Sequence, residues 1–477
     1  MKNKWAALAL LATTQFVLIL DLTIVSIAMP PIGAELRLTQ QDLSWTTTAY
    51  SLVFGGLLLL GGRLSDYAGR RRVFVVGMAL FAASSLVGGL ATAGGMLVAV
   101  RAVQGLAGAL VAPAALSLVM TVFRDDPALN KAMGLWGAVG GLGGSAGVVL
   151  GGLLTDWFGW RSVFFVNVPI GVAVAVLAVG LLPAARSAER PRGFDVAGAI
   201  TSTGGLALLI YALVGAAEAG WISARTLGTG VPAVALLAAF AVIERRSANP
   251  LMPLGIFRRR RLRAGNALMF LVVAAMQPVF FILTLYTQTV LGYSATESGL
   301  SLAAIAITIA VTASTLGGRL LSRYGLRATA ATGMAFITVG AALYLGLDVD
   351  GGFLTDMLAG ELLTGFGFGL LVTPATVAAT SQVRAAEAGL ASGLFNVTQQ
   401  VGISVGVAAL VTIASSVTGG ATSPEALVAG YRVAMLVATG LSAAGLLVAL
   451  TMLPSRRRAA AEDAEDAAAA ETVTAGA

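Results

Sequence analysis

The sequence predicts an all-α integral membrane protein that crosses the bilayer fourteen times, and three observations predict it. Of 477 residues, 57% are apolar. At ~20 apolar residues per crossing, that supplies about thirteen or fourteen helices. Charged residues make up only 11%, where soluble domains carry roughly 25%. The apolar residues also fall into successive runs separated by short charged or Gly/Pro-rich stretches, which one or two anchors on a soluble body would not produce.

Taken in order, the first run covers 6–29 and ends at Pro30 and Pro31. It is too long for a signal-peptide core and has no small-residue cleavage site, so it counts as span one. Runs 45–62 and 73–93 flank the basic stretch Arg70 to Arg72, and 96–122 follows Gly94 and Gly95. Runs 132–154 and 162–182 are parted by Asp156 and Arg161. Two further runs, 196–216 and 228–243, enclose Arg225 and stop before Glu244. The last six are 264–290, 298–316, 328–347, 354–380, 388–417 and 430–453, cut at Gly292, Arg319, Asp348, Arg384 and Gly419.

Basic residues set the orientation. With the N-terminus inside, 25 of the 30 Lys and Arg fall on the cytoplasmic side, against four (Arg37, Arg161, Arg225, Arg432) outside. That asymmetry predicts both termini in the cytoplasm of a bacterial inner membrane. It also absorbs the net charge of +7 as topology and lipid-headgroup contact, with no nucleic-acid partner needed. The stretch 250–266 mixes arginines with apolar residues and should lie along the inner surface, as an anchor or as a lipid site. Residues after Arg458 form an Ala-rich acidic tail expected to be disordered. Cysteine and histidine are both absent, which excludes disulfides, thiolate or imidazole metal sites and Ser-His triads.

An internal repeat organises the spans. Gly61 to Leu64 reads GGRL, followed by Gly69 and Arg71; Gly317 to Leu320 reads GGRL again, followed by Gly325 and Arg327. Gln104 and Gly105 match Thr364 and Gly365, while Gly134, Gly143 and Gly147 match Gly393, Gly402 and Gly406, at nearly the same offset. Duplicated halves around a midplane site are how secondary transporters are built. The predicted organisation is a six-helix bundle over 1–185, two inserted helices and a cytoplasmic linker over 186–262, a second six-helix bundle over 263–455, and the tail 456–477.

These residues carry a specific resemblance. Leu20-Asp21-Leu22-Thr23-Ile24-Val25, Gly62 through Arg71, Arg101-Ala102-Val103-Gln104-Gly105, and Trp160-Arg161 through Asn167-Val168-Pro169-Ile170-Gly171 resemble the major facilitator superfamily. Within it they are similar to the fourteen-helix drug:proton antiporters of the QacA/EmrB type, over all but the tail. Ser26 stands where that pattern usually has Asn, and Val148 where its span-five motif has Pro. The resemblance implies that Asp66, Gly69, Arg70 and Arg71 latch the cytoplasmic gate. It also implies that Gly143, Gly147, Gly151 and Gly152 form the antiporter motif controlling leakage and occlusion. Small-xxx-small spacing for helix packing explains those glycines equally, and the arginines would also serve topology alone. Asp66 has no topological use. Its counterpart in the repeat is Ser322, so only the first latch should depend on charge.

Of 23 acidic residues, only Asp21 and Glu361 lie well inside predicted spans. Intramembrane carboxylates are costly and are functional candidates by default. Arg101, the one basic residue inside a span, is placed at comparable depth to Asp21, with Gln104, Gly105 and Gly108 on its helix face. Asp21 should exchange a proton or pair with a cationic substrate while Arg101 moderates its affinity; a helix–helix hydrogen bond is the alternative. The repeat carries Arg101 onto Glu361, making Glu361 a second coupling candidate or else a polar lid residue facing outer water. Two such acids would bound coupling at about two protons, each worth roughly 2.3 kcal/mol per 100 mV. Asn396, Gln399 and Gln400 on one face of span thirteen, with Gln277, Tyr286 and Gln288 of span nine, Asp21 and Gln104, are the expected substrate surface. Interhelical hydrogen bonding would also account for them.

The leading expectation is proton-coupled, alternating-access export of lipophilic, often cationic compounds. The proton gradient would be its energy source, no cofactor or metal would be needed, and the protein would act as a monomer among membrane lipids. The alternative is a dedicated exporter of one metabolite or self-made antibiotic. An enzyme is disfavoured by the missing histidine and cysteine, and a structural role leaves Asp21 and Arg101 without a purpose.

Overall fold

The computed structural model describes residues 3–456 except 39, 125, 185–194, 248–249, 381–382, 384–386, 420 and 422. The expected disordered tail lies outside the described residues from 457 onward, as does part of the 186–262 linker. The described chain is helical. In order come α1 (Lys4–Leu36), α2 (Gln40–Ala68), α3 (Arg70–Gly89), α4 (Gly94–Val122), α5 (Leu129–Phe158), the single turn α6 (Ser162–Phe165) and α7 (Asn167–Leu181). After these run α8 (Val196–Ala219) and α9 (Ala224–Arg246), then α10 (Arg260–Leu285), α11 (Ala295–Thr312), α12 (Gly318–Leu343), α13 (Leu358–Thr380), α14 (Ala388–Thr418) and α15 (Pro424–Met452).

Local chemistry explains where these helices depart from the apolar runs. α1 continues past Pro30 and Pro31 and stops only at Arg37, a left-handed residue whose N–H bonds the Gly33 carbonyl. The run over 162–182 is divided into α6 and α7, where Pro169 has no N–H to offer the Phe165 carbonyl four residues back. Gly69 and its repeat counterpart Gly325 both take positive φ, 99° and 81°. Only glycine adopts that conformation without strain, so the repeated glycine makes the same tight turn in each half.

Twelve runs among the described residues are long and apolar enough to cross a membrane, two fewer than the fourteen expected. The ninth, Glu297–Gly346, holds 50 residues. Straight, it would measure about 75 Å, more than twice a ~30 Å hydrocarbon core, but the chain leaves helical geometry at Gly325 inside it. α5, 30 residues long, is outside the twelve runs and packs along α1.

The repeat reappears as packing. α1 packs on α5 as α10 packs on α14; α2 on α4 as α11 on α13; α3 on α4 as α12 on α13; and α3 on α7 as α12 on α15. The two sets meet along two seams, α2 against α14 and α5 against α11. Lipid tails are as apolar as leucine, so these seams rest on close backbone approach rather than on water exclusion. A Cβ on Gly62 would lie 2.5 Å from the Gly389 carbonyl, and one on its counterpart Gly318 would lie 2.5 Å from the Asn130 carbonyl. The second glycine of each GGRL therefore touches the opposite half. Both seams are at the end of the molecule where Lys4 binds Asp126 and Arg456 binds the Arg323 carbonyl, the side that carries the termini.

Candidate functional site

The buried charge in the first half is a closed network. α1 supplies Asp21, α4 supplies Arg101 and Gln104 one turn apart, α7 supplies Asn167 and α3 supplies Ser85. Asp21 and Arg101 are 0% and 1% exposed. Arg101 Nη1 donates to Asp21 Oδ2 at 2.5 Å and to Gln104 Oε1 at 2.9 Å, and its Nε reaches the Thr46 carbonyl at 3.4 Å. The guanidinium also lies over the Tyr50 ring, 4.4 Å from its centre. Asn167 Nδ2 donates to Asp21 Oδ1 at 2.8 Å, and Gln104 Nε2 donates to the same oxygen at 3.4 Å and to Ser85 Oγ at 2.8 Å.

Glycine makes this geometry possible. A Cβ on Gly105 would stand 2.5 Å from the Tyr50 carbonyl, so α2 and α4 lie close enough for Thr46 and Tyr50 to engage the guanidinium. Asp21 thus accepts from three donors, and no face of it is open to a substrate in this conformation. An ion pair removed from water holds only when its remaining hydrogen-bond capacity is met, and here neighbouring side chains meet most of it. Asn167, Tyr50 and Ser85 were not anticipated as site residues. Asn167 was detectable as the lone polar residue between Ser162 and the end of α7; nothing in the sequence singles out Ser85.

The second half differs. Glu361 of α13 is 0% exposed, and neither of its carboxylate oxygens has a hydrogen-bond partner among the described residues. Its neighbours are Thr364, which bonds the Gly360 carbonyl at 2.7 Å, and Tyr344, whose hydroxyl is 3.4 Å from Thr364 Oγ1. In this conformation the Glu361 side chain does not reach the surface, where a lid residue facing outer water would lie. An ionised carboxylate left this way costs several kcal/mol. The repeat thus places a satisfied ion pair in one half and a lone acid in the other.

Of the residues expected to form a substrate surface, Asp21 and Gln104 are taken up by the network above. Gln277 and Gln288 are exposed. Tyr286 is buried, its hydroxyl 2.7 Å from the Asp348 carbonyl and 3.1 Å from Asp356 Oδ2, which ties α10 to the 348–356 loop. That correction follows from a phenol finding acceptors once buried. Asn396 bonds back to the Ser392 carbonyl at 2.8 Å. Gln399 and Gln400 are half-buried, and Gln400 meets α2, its Cγ 3.1 Å from where a Cβ on Gly55 would lie.

At the seam between α2 and α14, Asp66 is buried and bridges the halves. Its Oδ1 accepts from the Gly389 N–H and its Oδ2 from the Leu390 N–H, both at 3.0 Å. A carboxylate on the first amides of α14 is stabilised by unpaired donors and the helix dipole. Arg70 Nη2 holds Asp66 Oδ1 at 3.1 Å and Nη1 reaches Thr121 Oγ1 at 2.6 Å, while Arg71 binds the Val179 and Leu182 carbonyls. At the other seam, Ser322 Oγ accepts from Asn130 Nδ2 at 2.9 Å, a neutral contact in the equivalent place.

The α5 glycines do not act alike. Cβ atoms on Gly143, Gly147 and Gly151 would meet α1 within 3.2 Å, whereas one on Gly152 would meet nothing within 4 Å. At Gly147 the obstruction is Thr23, with its Cβ at 2.8 Å. Gly147→Ala is expected to lower stability by about 1–3 kcal/mol through overpacking. Gly152→Ala is expected to be neutral or to stabilise by up to ~1 kcal/mol through helix propensity. Thermal unfolding of the two variants in detergent compares them directly, and equal melting shifts would contradict the assignment.

Helical sets paired alike, a buried ion pair inside the first of them, and glycine seams joining the two define a multi-pass membrane transporter with duplicated halves. The chain belongs to the major facilitator superfamily, whose sequence pattern matches residues 11–407. It is 38% identical to the puromycin resistance protein pur8 of Streptomyces alboniger, over 96% of this chain and 93% of that one. It is also 38% identical to the cephamycin export protein CmcT of Amycolatopsis lactamdurans, over 89% of this chain and 87% of that one. Among solved structures it resembles the human organic anion transporter MFSD10, with a TM-score of 0.69 at 15% identity, over 94% of this chain and 99% of that one. That last likeness is one of fold.

Proposed function

We propose that this protein is a proton-coupled efflux antiporter of lipophilic compounds, of the fourteen-crossing QacA/EmrB type, with both termini in the cytoplasm. The count of fourteen takes the 50-residue run as two crossings that meet at Gly325 and adds α5, leaving α8 and α9 as the pair inserted between six-helix halves. The observation that carries the reading is the contrast between halves. Asp21 is neutralised by Arg101, while Glu361 is buried with no cation beside it among the described residues.

Both seams are closed on the terminus-bearing side, as an outward-facing state requires. Opening the inner side would expose Asp21 and Glu361 to exchange in turn, with Arg101 available to replace a lost proton as the partner of Asp21. Because Asp21 already has its cation, substrate positive charge is not a requirement in the outward state. A dedicated antibiotic exporter is the second reading. It is favoured by relatives that bear the names of single antibiotics, puromycin and cephamycin.

In everted vesicles, proton-driven dye uptake is expected to fall at least ~10-fold in Glu361→Gln, the effect of about 1.4 kcal/mol in the rate-limiting barrier. Full activity on every substrate would remove Glu361 from coupling. A resistance panel separates the two readings, since protection against unrelated compounds supports multidrug export and protection against one supports a dedicated exporter.

A further inference from the structure

Two neighbouring acids, Glu244 and the half-buried Asp195, are used by neither the ion pair, Glu361 nor the Asp66 latch. Glu244 closes α9 and is 4% exposed, although the apolar run was expected to end one residue earlier. Its Oε2 accepts from the Met252 N–H at 2.9 Å, while its Oε1 is buried without a partner. Asp195 caps α8, with Oδ1 accepting from the Gly198 N–H at 2.7 Å; its Oδ2 is also buried and has no partner among the described residues. Both of these oxygens lie beside Gly198. A Cβ there would lie 2.6 Å from Glu244 Oε1 and 3.0 Å from Asp195 Oδ2.

What Glu244 holds is the chain between α9 and α10. Leu251, Met252 and Ile256 of this linker are buried in one apolar cluster with Leu58 and Leu59 of α2 and Leu390, Ala391 and Leu394 of α14. That cluster is the α2–α14 seam, so the linker is seated over the junction of the halves. Three contacts fix it: Glu244 to the Met252 N–H, Arg63 Nη2 to the Pro250 carbonyl at 3.2 Å, and Arg259 to Glu387 at the start of α14, 3.6 Å apart. The charges facing Glu244 are Asp195 from α8 and Arg63 from α2. Arg245 and Arg246 follow on α9 itself, and the linker presents backbone amides.

We propose that Asp195 and Glu244 form a proton-binding site separate from Asp21, Arg101 and Glu361, and that its occupancy decides whether the α9–α10 linker stays seated over the seam. A proton on Glu244 Oε1, directed toward Asp195 Oδ2, supplies what that buried oxygen lacks. It leaves the pair with a single negative charge, which Arg63 balances. When that proton leaves to water, a charged Glu244 is left buried beside a second carboxylate, and it gives up the Met252 amide. The linker then lifts and uncovers the seam on the terminus-bearing side.

The absence of native cysteine allows a direct test. Met252→Cys places one thiol on the seated linker, and its maleimide labelling is followed in nanodiscs from about pH 5 to about pH 9, the range coupled buried carboxyls reach. Each rate is divided by the rate for the unfolded protein at that pH. The ratio is expected to rise about tenfold across the range, the change that one pK unit of coupling produces. Glu244→Gln, whose amide donates to Asp195 as that proton would, is expected to stay slow at every pH. Glu244→Ala is expected to be fast at every pH.

If Glu244→Gln does not fold, Asp195→Asn, which retains the cap, takes its place with the same flat profile expected. A profile without pH dependence in the parent, or an unchanged slope in Glu244→Gln, would overturn the site. So would slower labelling on adding Na⁺ or Mg²⁺ at constant pH and ionic strength, which would make it a cation site. The rise must also persist in Asp21→Asn and Glu361→Gln; its loss there would assign the response to the transport acids. Because labelling reads linker position and not transport, the outcome is independent of whether the antiporter reading holds.

Discussion

Arg101→Ala is expected to abolish transport and to lower stability by about 3–5 kcal/mol, the cost of leaving a buried charge without its partner. The guanidinium is 1% exposed and makes the 2.5 Å bond to Asp21. Its removal leaves a carboxylate with only the amides of Asn167 and Gln104. Arg101→Lys is not expected to rescue function, since a point charge cannot reach Asp21, Gln104 and the Thr46 carbonyl together while covering the Tyr50 ring. The double variant Arg101→Leu with Asp21→Asn separates the roles. With no buried charge left, its melting temperature in detergent is expected to return most of the way to that of the parent, while proton-driven efflux stays absent. Recovery of transport in that variant would mean that the pair is a structural device.

Gly389→Ala is expected to produce the second largest effect, acting on conformation. A Cβ at this position would lie 2.4 Å from Ser65 Oγ, 2.5 Å from the Gly62 carbonyl and 2.7 Å from Asp66 Oδ1. None of these can yield cheaply, because two are backbone or latch groups and the third is packed beneath them. Overpacking of about 1–3 kcal/mol would fall on the closed seam alone and shift the population toward the open inner side by roughly 5- to 150-fold. Spin labels at Tyr67→Cys and Tyr324→Cys, two exposed positions on opposite halves, would report it as a longer distance. An unchanged distance distribution would show that the seam does not hold the halves together.

Much of the machinery was legible in the residue pattern for a physical reason: charge is rare in a chain like this. Asp21, Arg101 and Glu361 stood out because few polar groups are tolerated inside apolar runs, and the repeated GGRL stood out because the same close approach is needed twice. What the pattern missed was every contribution that depends on direction. Ser85 looks like its neighbour Ser84, yet only the structure shows that Ser85 accepts from Gln104. Tyr286 belonged by spacing to the same polar surface as Gln277 and Gln288, but its hydroxyl turns to Asp348 and Asp356. Glu244 lay one residue beyond an apolar run and passed for a span end. It is buried because the linker folds back over it, a non-local event that no window of sequence reports.

The sequence by itself determined that the chain lives in a bilayer, that its halves are duplicated, and which few charges the membrane must accommodate. Those follow from transfer energies and identity of residues, which are local properties. Tertiary structure decided whom each charge meets. Asp21 is closed off by Arg101 and Asn167, Glu361 is left alone, and Asp66 crosses to the other half to cap α14, although the repeat alone would make both halves alike. The reason is that electrostatic and hydrogen-bond energies depend on distances of a few ångströms between residues as far apart in the chain as Asp66 and Gly389, and only the packing of helices sets those distances.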